Sequence, residues 1–269
     1  MTSPIFELSD VTFAYQGVVA LDRLTLRIHA GQRVVLLGAN GSGKSTLLRL
    51  LDALCFPSHG TISAFGEKLT EARLQDDAVN HRFRRRVGLV FQNPDVQLFN
   101  PTVFDELAFG PLQLGWPRDR IRRCVEETLI RFSIAHIRDR APHRLSGGEK
   151  KRVALASVLI LEPEVLLLDE PTAALDPESQ SMMIHFLMAC RNTGQTVITA
   201  THDLDIVEDI ADHGLVLGGG RLVREGPVAS LLQDAALLQQ TCLSHHHWHV
   251  HADGSLHAHH HRHRHEADR

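Results

Sequence analysis

Nine consecutive residues, Gly38-Ala39-Asn40-Gly41-Ser42-Gly43-Lys44-Ser45-Thr46, combine three glycines, one lysine and three hydroxyls in an order that suits a phosphate chain. Glycines let the backbone fold tightly enough to aim successive N–H groups at phosphate oxygens. A helix opening here adds positive potential, Lys44 reaches the terminal phosphates, and the Ser45 hydroxyl suits Mg²⁺. A second pair of residues fits the same chemistry. Asp169 and Glu170 close an apolar run, and there Asp169 suits the Mg²⁺ shell while Glu170 suits polarising an attacking water. A third group, Leu145-Ser146-Gly147-Gly148-Glu149, precedes a helical pattern and makes another anion-seeking helix N-terminus. The first terminus already wraps a nucleotide, so the second has an empty face unless it meets a phosphate held by another molecule.

These groups need elements that deliver them to one place. Residues 33–37 and 165–168 read as short buried strands, and residues 196–200 as a third. The phosphate-seeking loop joins the first of them to a helix over 43–54. A long helix is expected over 148–161, with further helices over 178–193 and 204–211. Residues 5–15 and 24–29 alternate apolar and polar side chains as antiparallel strands do, and 60–65 and 87–91 add two more. Residues 102–140 read as mostly helical, broken near Gly110–Pro111 and Gly115–Pro117. A hairpin is expected around residues 218–220. The expected fold is therefore α/β, a mainly parallel sheet with an antiparallel β edge and a helical insertion over about 95–145. Strand ends in such a sheet form its ligand-binding crest.

Composition narrows the setting. The chain has 269 residues and a formal net charge of −4, a balance that does not attract nucleic acid in bulk. The basic run 82–86 reads as a solvated face. No apolar run approaches the roughly 20 residues that span a bilayer, and no leader pattern is expected at the N-terminus. Cys55, Cys124, Cys190 and Cys242 are scattered and read as free thiols in a reducing compartment.

Together, the loop 38–46, the strand end Asp169-Glu170 and the segment 145–149 resemble the P-loop ATPases of ABC transporters, whose signature the last of them matches. The resemblance covers about residues 5–230 and implies ATP and Mg²⁺ as ligands. It implies further that Tyr15 stacks on adenine and that Gln92 reaches Mg²⁺ and senses a membrane partner. His202 is implied to contact the γ-phosphate, and Ser146, Gly147 and Gly148 to close on the nucleotide of a second copy in a head-to-tail dimer. Ala174-Leu175-Asp176 is similar to the family's D-loop, although the family more often has Gly or Ser where Ala174 stands. Residues 92–99, 101–103 and 106–111 resemble the energy-coupling-factor branch, whose ATPases serve transmembrane energy-coupling and substrate-binding subunits. There Leu98, Phe99, Val103 and Phe109 would suit a docking surface. The resemblance places the chain at the cytoplasmic face of the cell membrane.

The C-terminal stretch stands apart. Nineteen histidines occur in the chain, eleven of them between His245 and His265. Imidazoles at His245, His246, His247, His249 and His251 suit Ni²⁺, Co²⁺, Cu²⁺ or Zn²⁺, and the low-complexity composition of residues 244–269 predicts a disordered tail beyond an ATPase unit of residues 1–243. Together with the resemblance, this favours nickel or cobalt uptake, against a vitamin importer of the same branch or a soluble ABC ATPase outside transport. The tail is not the transport path on this reading. A chain ending at Leu243 is expected to keep its ATPase rate in metal-free buffer, and loss of turnover in a phosphate-release assay would contradict that.

Overall fold

The computed structural model describes residues 4–243, together with the segments His247–Val250 and Leu256–His259. The chain opens with β1 (Pro4–Tyr15) and β2 (Val18–His29), an antiparallel pair closed by Gln16 and Gly17 at φ 47° and 87°. Positive φ at both loop residues matches the twist of the flanking strands. The second strand thus begins six residues before the expected start at 24. Its exposed Val18 and Val19 carry no alternation, so the turn rather than the pattern defines its first half.

The strand β3 (Arg33–Leu37) follows, then α1 (Lys44–Leu51), β4 (His59–Ala64) and β5 (Glu67–Lys68). The short α2 (Glu71–Leu74) leads to α3 (Asp77–Arg86) and β6 (Val87–Val90). The run 82–86, expected as a mere solvated face, is the last part of α3, where its cations meet the negative helix end. Next come α4 (Val103–Gln113), α5 (Arg118–Arg131) and α6 (Gly147–Leu159). The expected break at Gly110–Pro111 is absent. Pro111 lies buried inside α4, near its end, where one missing N–H costs only one bond, and the helix stops before Gly115 instead.

The remainder alternates as β7 (Val165–Asp169), α7 (Pro177–Ala189), β8 (Thr196–Ala200), α8 (Val207–Ile210), β9 (His213–Gly218) and β10 (Arg221–Pro227). Two helices, α9 (Val228–Gln233) and α10 (Ala235–Gln240), complete the continuous part. Beyond them β11 (His247–Val250) pairs antiparallel with β12 (Leu256–His259).

The central sheet runs β10-β9-β3-β8-β7-β6, with β10 its antiparallel edge, and a second sheet runs β2-β1-β4-β5. Alternate residues of the central strands serve two cores. Val35, Leu37, Leu166 and Leu168 pack toward the helices α4 to α7, whereas Val34, Leu36, Val165 and Leu167 pack toward α1 and the antiparallel sheet. With both faces covered, these strands read as continuous apolar runs. Register levels their ends, since Leu36 and Asp169 both pair with Ala200, and Val90 pairs with Leu168. The loops after β3, β6, β7 and β8 therefore leave the sheet side by side.

Helix α1 ends at Leu51, three residues short of the expected limit. Arg84 of α3 donates to the Asp52 and Ala53 carbonyls at 2.6 and 3.3 Å and lies 3.2 Å from the Asp52 carboxyl. Burial pushes that carboxyl up to about 7, against the opposing pull of Arg84. Above pH 7 the carboxylate is charged and needs the guanidinium; at pH 5 it is protonated and needs it less. Arg84→Ala is expected to lower unfolding free energy by about 2 kcal/mol at pH 8 and by less at pH 5. Urea titrations at the two pH values check this, and an equal or larger loss at pH 5 would contradict it.

Candidate nucleotide-hydrolysing site

Between β3 and α1 the backbone turns through Gly38 to Gly43. Gly43, the N-cap of α1, has φ 105°, and a Cβ there would lie 2.6 Å from Leu21 Cδ2 and 2.8 Å from the Ala20 carbonyl oxygen. Only glycine meets both demands. Ser42 Oγ is buried with no hydrogen-bond partner among the described residues, a polar group facing a loop suited to anions. The Lys44 ammonium is buried and donates to the Gly38 and Ala39 carbonyls at 2.6 and 3.3 Å. Burial lowers its pKa, opposed by Glu170 and Asp169.

The end of β7 faces this loop. Ser45 Oγ donates to Asp169 Oδ1 at 2.9 Å, so the two groups expected around Mg²⁺ already touch. Burial raises the Asp169 pKa and Glu170 adds to it, outweighing the Ser45 hydrogen bond. Buried carboxyls beside a hydroxyl form an all-oxygen donor set, which fits a hard divalent cation such as Mg²⁺. Glu170 lies at φ 45°, with its N–H bonded to the Ala200 carbonyl at 2.9 Å. Its Oε1 stands 2.8 Å from His202 Nδ1 and 3.9 Å from Lys44 Nζ. The carboxylate is thus held between the imidazole and the ammonium, able to receive a proton from a water placed against it.

Other expected residues take graded positions. Gln92 is exposed and emerges two residues past Val90, at the same sheet edge as Asp169. Tyr15 is partly exposed, stacks edge-on against Phe13 at 4.7 Å, and its hydroxyl accepts from Arg49 at 3.3 Å. Ser146 caps α6 in a capping box with Glu149, Gly147 faces open space, and Gly148 is buried. A Cβ on Gly148 would lie 2.3 Å from Ser179 Oγ and 3.2 Å from Asp176 Oδ2, so the helix end is packed against the start of α7. No hydrogen bond or ion pair among the described residues joins Ser146–Gly148 to the phosphate-seeking loop. Ala174 has φ 58°, which accounts physically for a position where glycine is unstrained.

The docking expectation divides. Phe99 and Phe109 are exposed and stack edge-to-face at 5.0 Å, but Leu98 and Val103 are buried in the core. Three residues of consequence were given no individual role by the sequence, although Gln97 and Glu106 lie within the segments that resemble the energy-coupling-factor branch. Glu106, buried on α4, accepts from the Phe99 and Asn100 N–H groups at 3.0 and 2.9 Å and fixes the loop that carries Phe99. Gln97 joins Phe91 N–H to the Ala154 carbonyl of α6. Lys151 is a buried cation on α6. Only the interruption of apolar runs by such residues hinted at them.

For the C-terminal histidines, His245, His246 and His251 lie outside the described residues. His247 and His249 stand in β11, at register positions opposite His259 and His257. No cluster of three or more His, Cys, Asp or Glu suited to a metal ion occurs among the described residues, and none of their helices is long and apolar enough to cross a membrane.

A glycine loop opening a helix, facing a strand that ends in two buried acids at the crest of a parallel sheet, defines a P-loop nucleotide hydrolase. The sequence profile of the ABC transporter family matches residues 21–173. The chain is 59% identical over 244 residues to the nickel import ATP-binding protein NikO of Rhodobacter capsulatus, covering 90% of this chain and 96% of that protein. It is 40% identical over 240 residues to the energy-coupling factor transporter ATP-binding protein EcfA of Methanothermobacter thermautotrophicus, covering 89% of this chain and 76% of that one. Among solved structures it resembles cbiO1 of Clostridium perfringens, part of the ABC transporter complex cbiONQ, with TM-score 0.74 and 36% identity over 89% of this chain and 95% of that one. The chain belongs to the ABC transporter family, as one of its ATP-binding and ATP-hydrolysing subunits.

The loop geometry carries its own test. Gly43→Ala places a Cβ against a backbone oxygen at a positive φ and is expected to cost about 2 kcal/mol of stability or more. Denaturant unfolding of the variant checks this, and an unchanged midpoint would contradict it.

Proposed function

We propose that this chain powers an energy-coupling-factor type importer of nickel or cobalt ions, working as a head-to-tail pair at the cytoplasmic face of the cell membrane. The observation that carries this reading is the likeness to the nickel import ATP-binding protein of Rhodobacter capsulatus over nearly the full length of both chains. The likeness to cbiO1, part of a cbiONQ complex, supports transmembrane partners. The exposed Phe99–Phe109 pair, held in place by Glu106, supports a docking face for them.

The roles proposed for the site residues come from the family resemblance and are compatible with their placement. Backbone N–H groups from Gly38 to Thr46 and the Lys44 ammonium hold the phosphates, and Tyr15 offers its ring to adenine. Ser45, Asp169 and Gln92 would hold Mg²⁺, which when bound offsets charge on the phosphate oxygens. Glu170 accepts the proton of the attacking water, and His202 keeps the carboxylate oriented while presenting its second nitrogen toward the γ-phosphate. Ser146, Gly147 and Gly148 meet the nucleotide of the second copy, since their helix end carries positive potential and Gly147 is open to a partner. The C-terminal histidines buffer or sense the transported ion.

In cells lacking this gene, wild-type protein is expected to restore nickel or cobalt uptake and Glu170→Gln is not. Purified Glu170→Gln should bind ATP, accumulate the closed dimer and hydrolyse at least about a hundredfold more slowly, whereas Lys44→Ala weakens nucleotide binding itself. Normal turnover by Glu170→Gln would remove the assignment of the base. Uptake of both ions unaffected by loss of the gene, with vitamin uptake lost, would move the substrate to the other arm of the branch.

A further inference from the structure

Helix α6 does more than present its N-terminus. Three residues beyond Gly148, Lys151 is 3% exposed, and its Nζ donates to the main-chain oxygen of Glu170 at 3.3 Å. Glu170 occupies the left-handed region at φ 45°, a conformation that disfavours a side chain by about 1–2 kcal/mol and persists only where the surroundings fix it. Three bonds fix it here: the amide donates to the Ala200 carbonyl of β8, and the carbonyl accepts from the Ala173 N–H at 3.2 Å and from Lys151 of α6. The amide is therefore tied to the sheet, and the carbonyl both to its own turn and, through Lys151, to the helix. Between them the side chain is aimed at His202 and Lys44.

Burying an ammonium is unfavourable without a counter-charge, and its cost is visible: burial pushes the Lys151 pKa down to about 8, with Asp169 and then Glu170 opposing the shift. An apolar residue would fill this position at less cost. None of the catalytic roles assigned above makes use of this cation. Its neighbours on α6 add to the link, because Gly148 sits directly against Asp176 and Ser179, at the start of α7.

We infer that Lys151 is a positioning residue for ATP hydrolysis, holding the Glu170 main chain so that the direction of its carboxylate follows the position of α6. The inference rests on Glu170 acting as the residue that accepts the proton from water. It adds that a displacement of the Ser146–Gly148 helix end reaches the glutamate of the same chain through one side chain. A shift of about 1 Å in a reacting group is enough to change a rate by up to a hundredfold.

The test measures ATP turnover against ATP concentration for the full-length chain carrying Lys151→Met or Lys151→Arg, beside Glu170→Gln. Lys151→Met is expected to lower kcat by about tenfold or more while KM stays within about twofold, and Lys151→Arg, which keeps a donor, to recover most of the loss. A purely structural lysine would instead move KM and the amount of folded protein along with kcat, and that result would overturn the inference. So would Lys151→Met turning over within about twofold of the wild type while Glu170→Gln is inactive. Glu170→Gln hydrolysing normally would overturn the reading of the glutamate and this inference with it. Should Lys151→Met not fold, Lys151→Gln replaces it in the same measurement, with the same loss of kcat expected and the same results overturning the inference.

Discussion

Four ionisable groups share one dry corner at the end of β7: the carboxyls of Asp169 and Glu170 and the ammonium groups of Lys44 and Lys151, none more than a tenth exposed. Charges removed from water are tolerated only in compensating company. The pKa directions record the strain, with burial raising Asp169 and lowering both lysines while their opposite charges resist. The groups arrive on three different elements. Lys44 opens α1, Lys151 rides on α6, and the acids end β7, so the corner is assembled only when all three elements are in place.

The two cores follow from that requirement. A strand that delivers charged residues to a fixed height must itself be immobile, and β7 is buried along all five residues, Val165 and Leu167 on one side, Leu166 and Leu168 on the other. Neighbouring strands pair in parallel register with it, and Asp169 ends level with Ala200 and, through it, with Leu36. Loops with few apolar contacts of their own thereby inherit a common origin. Hydrogen bonds then finish the alignment, from Ser45 to Asp169 and between His202 and Glu170. The chemistry is local, but its precision comes from packing two layers away.

How much of this could be read from the chain depends on the range of the signal. The loop 38–46 and the pair Asp169-Glu170 are contiguous motifs, and the structure places both at the crest where the strand pattern required them. Periodicity located β3, β7 and β8 because buried parallel strands are unbroken apolar runs. It failed for the first half of β2, whose valines are exposed, and for α9 and α10, which at six residues each are too short to show a helical period. Pro111 misled because a proline near a helix end removes a single bond, a cost that packing of α4 outweighs. Leu98 and Val103 misled differently, since apolar type alone does not separate a docking face from the core below it. The roles of Lys151 and Glu106 could not be read, because they lie in partners 19 and 6–7 residues away along the chain.

The same geometry bears on why this fold works in pairs. Helix α6 is held inward by Gly148 against α7, by Lys151 against Glu170 and by its apolar face against the helical core. Its N-terminus cannot swing to its own phosphate-seeking loop without breaking those contacts. The positive helix end is left facing outward, with the Ser146 hydroxyl turned back onto Glu149 and Gly147 in open space. A phosphate brought by a second copy would meet it with no rearrangement of the core. In the proposed head-to-tail pair, rigidity inside the subunit would make the contact between subunits informative: a helix with freedom to adjust would absorb the partner's nucleotide locally, whereas one bolted to the end of β7 would pass the displacement on.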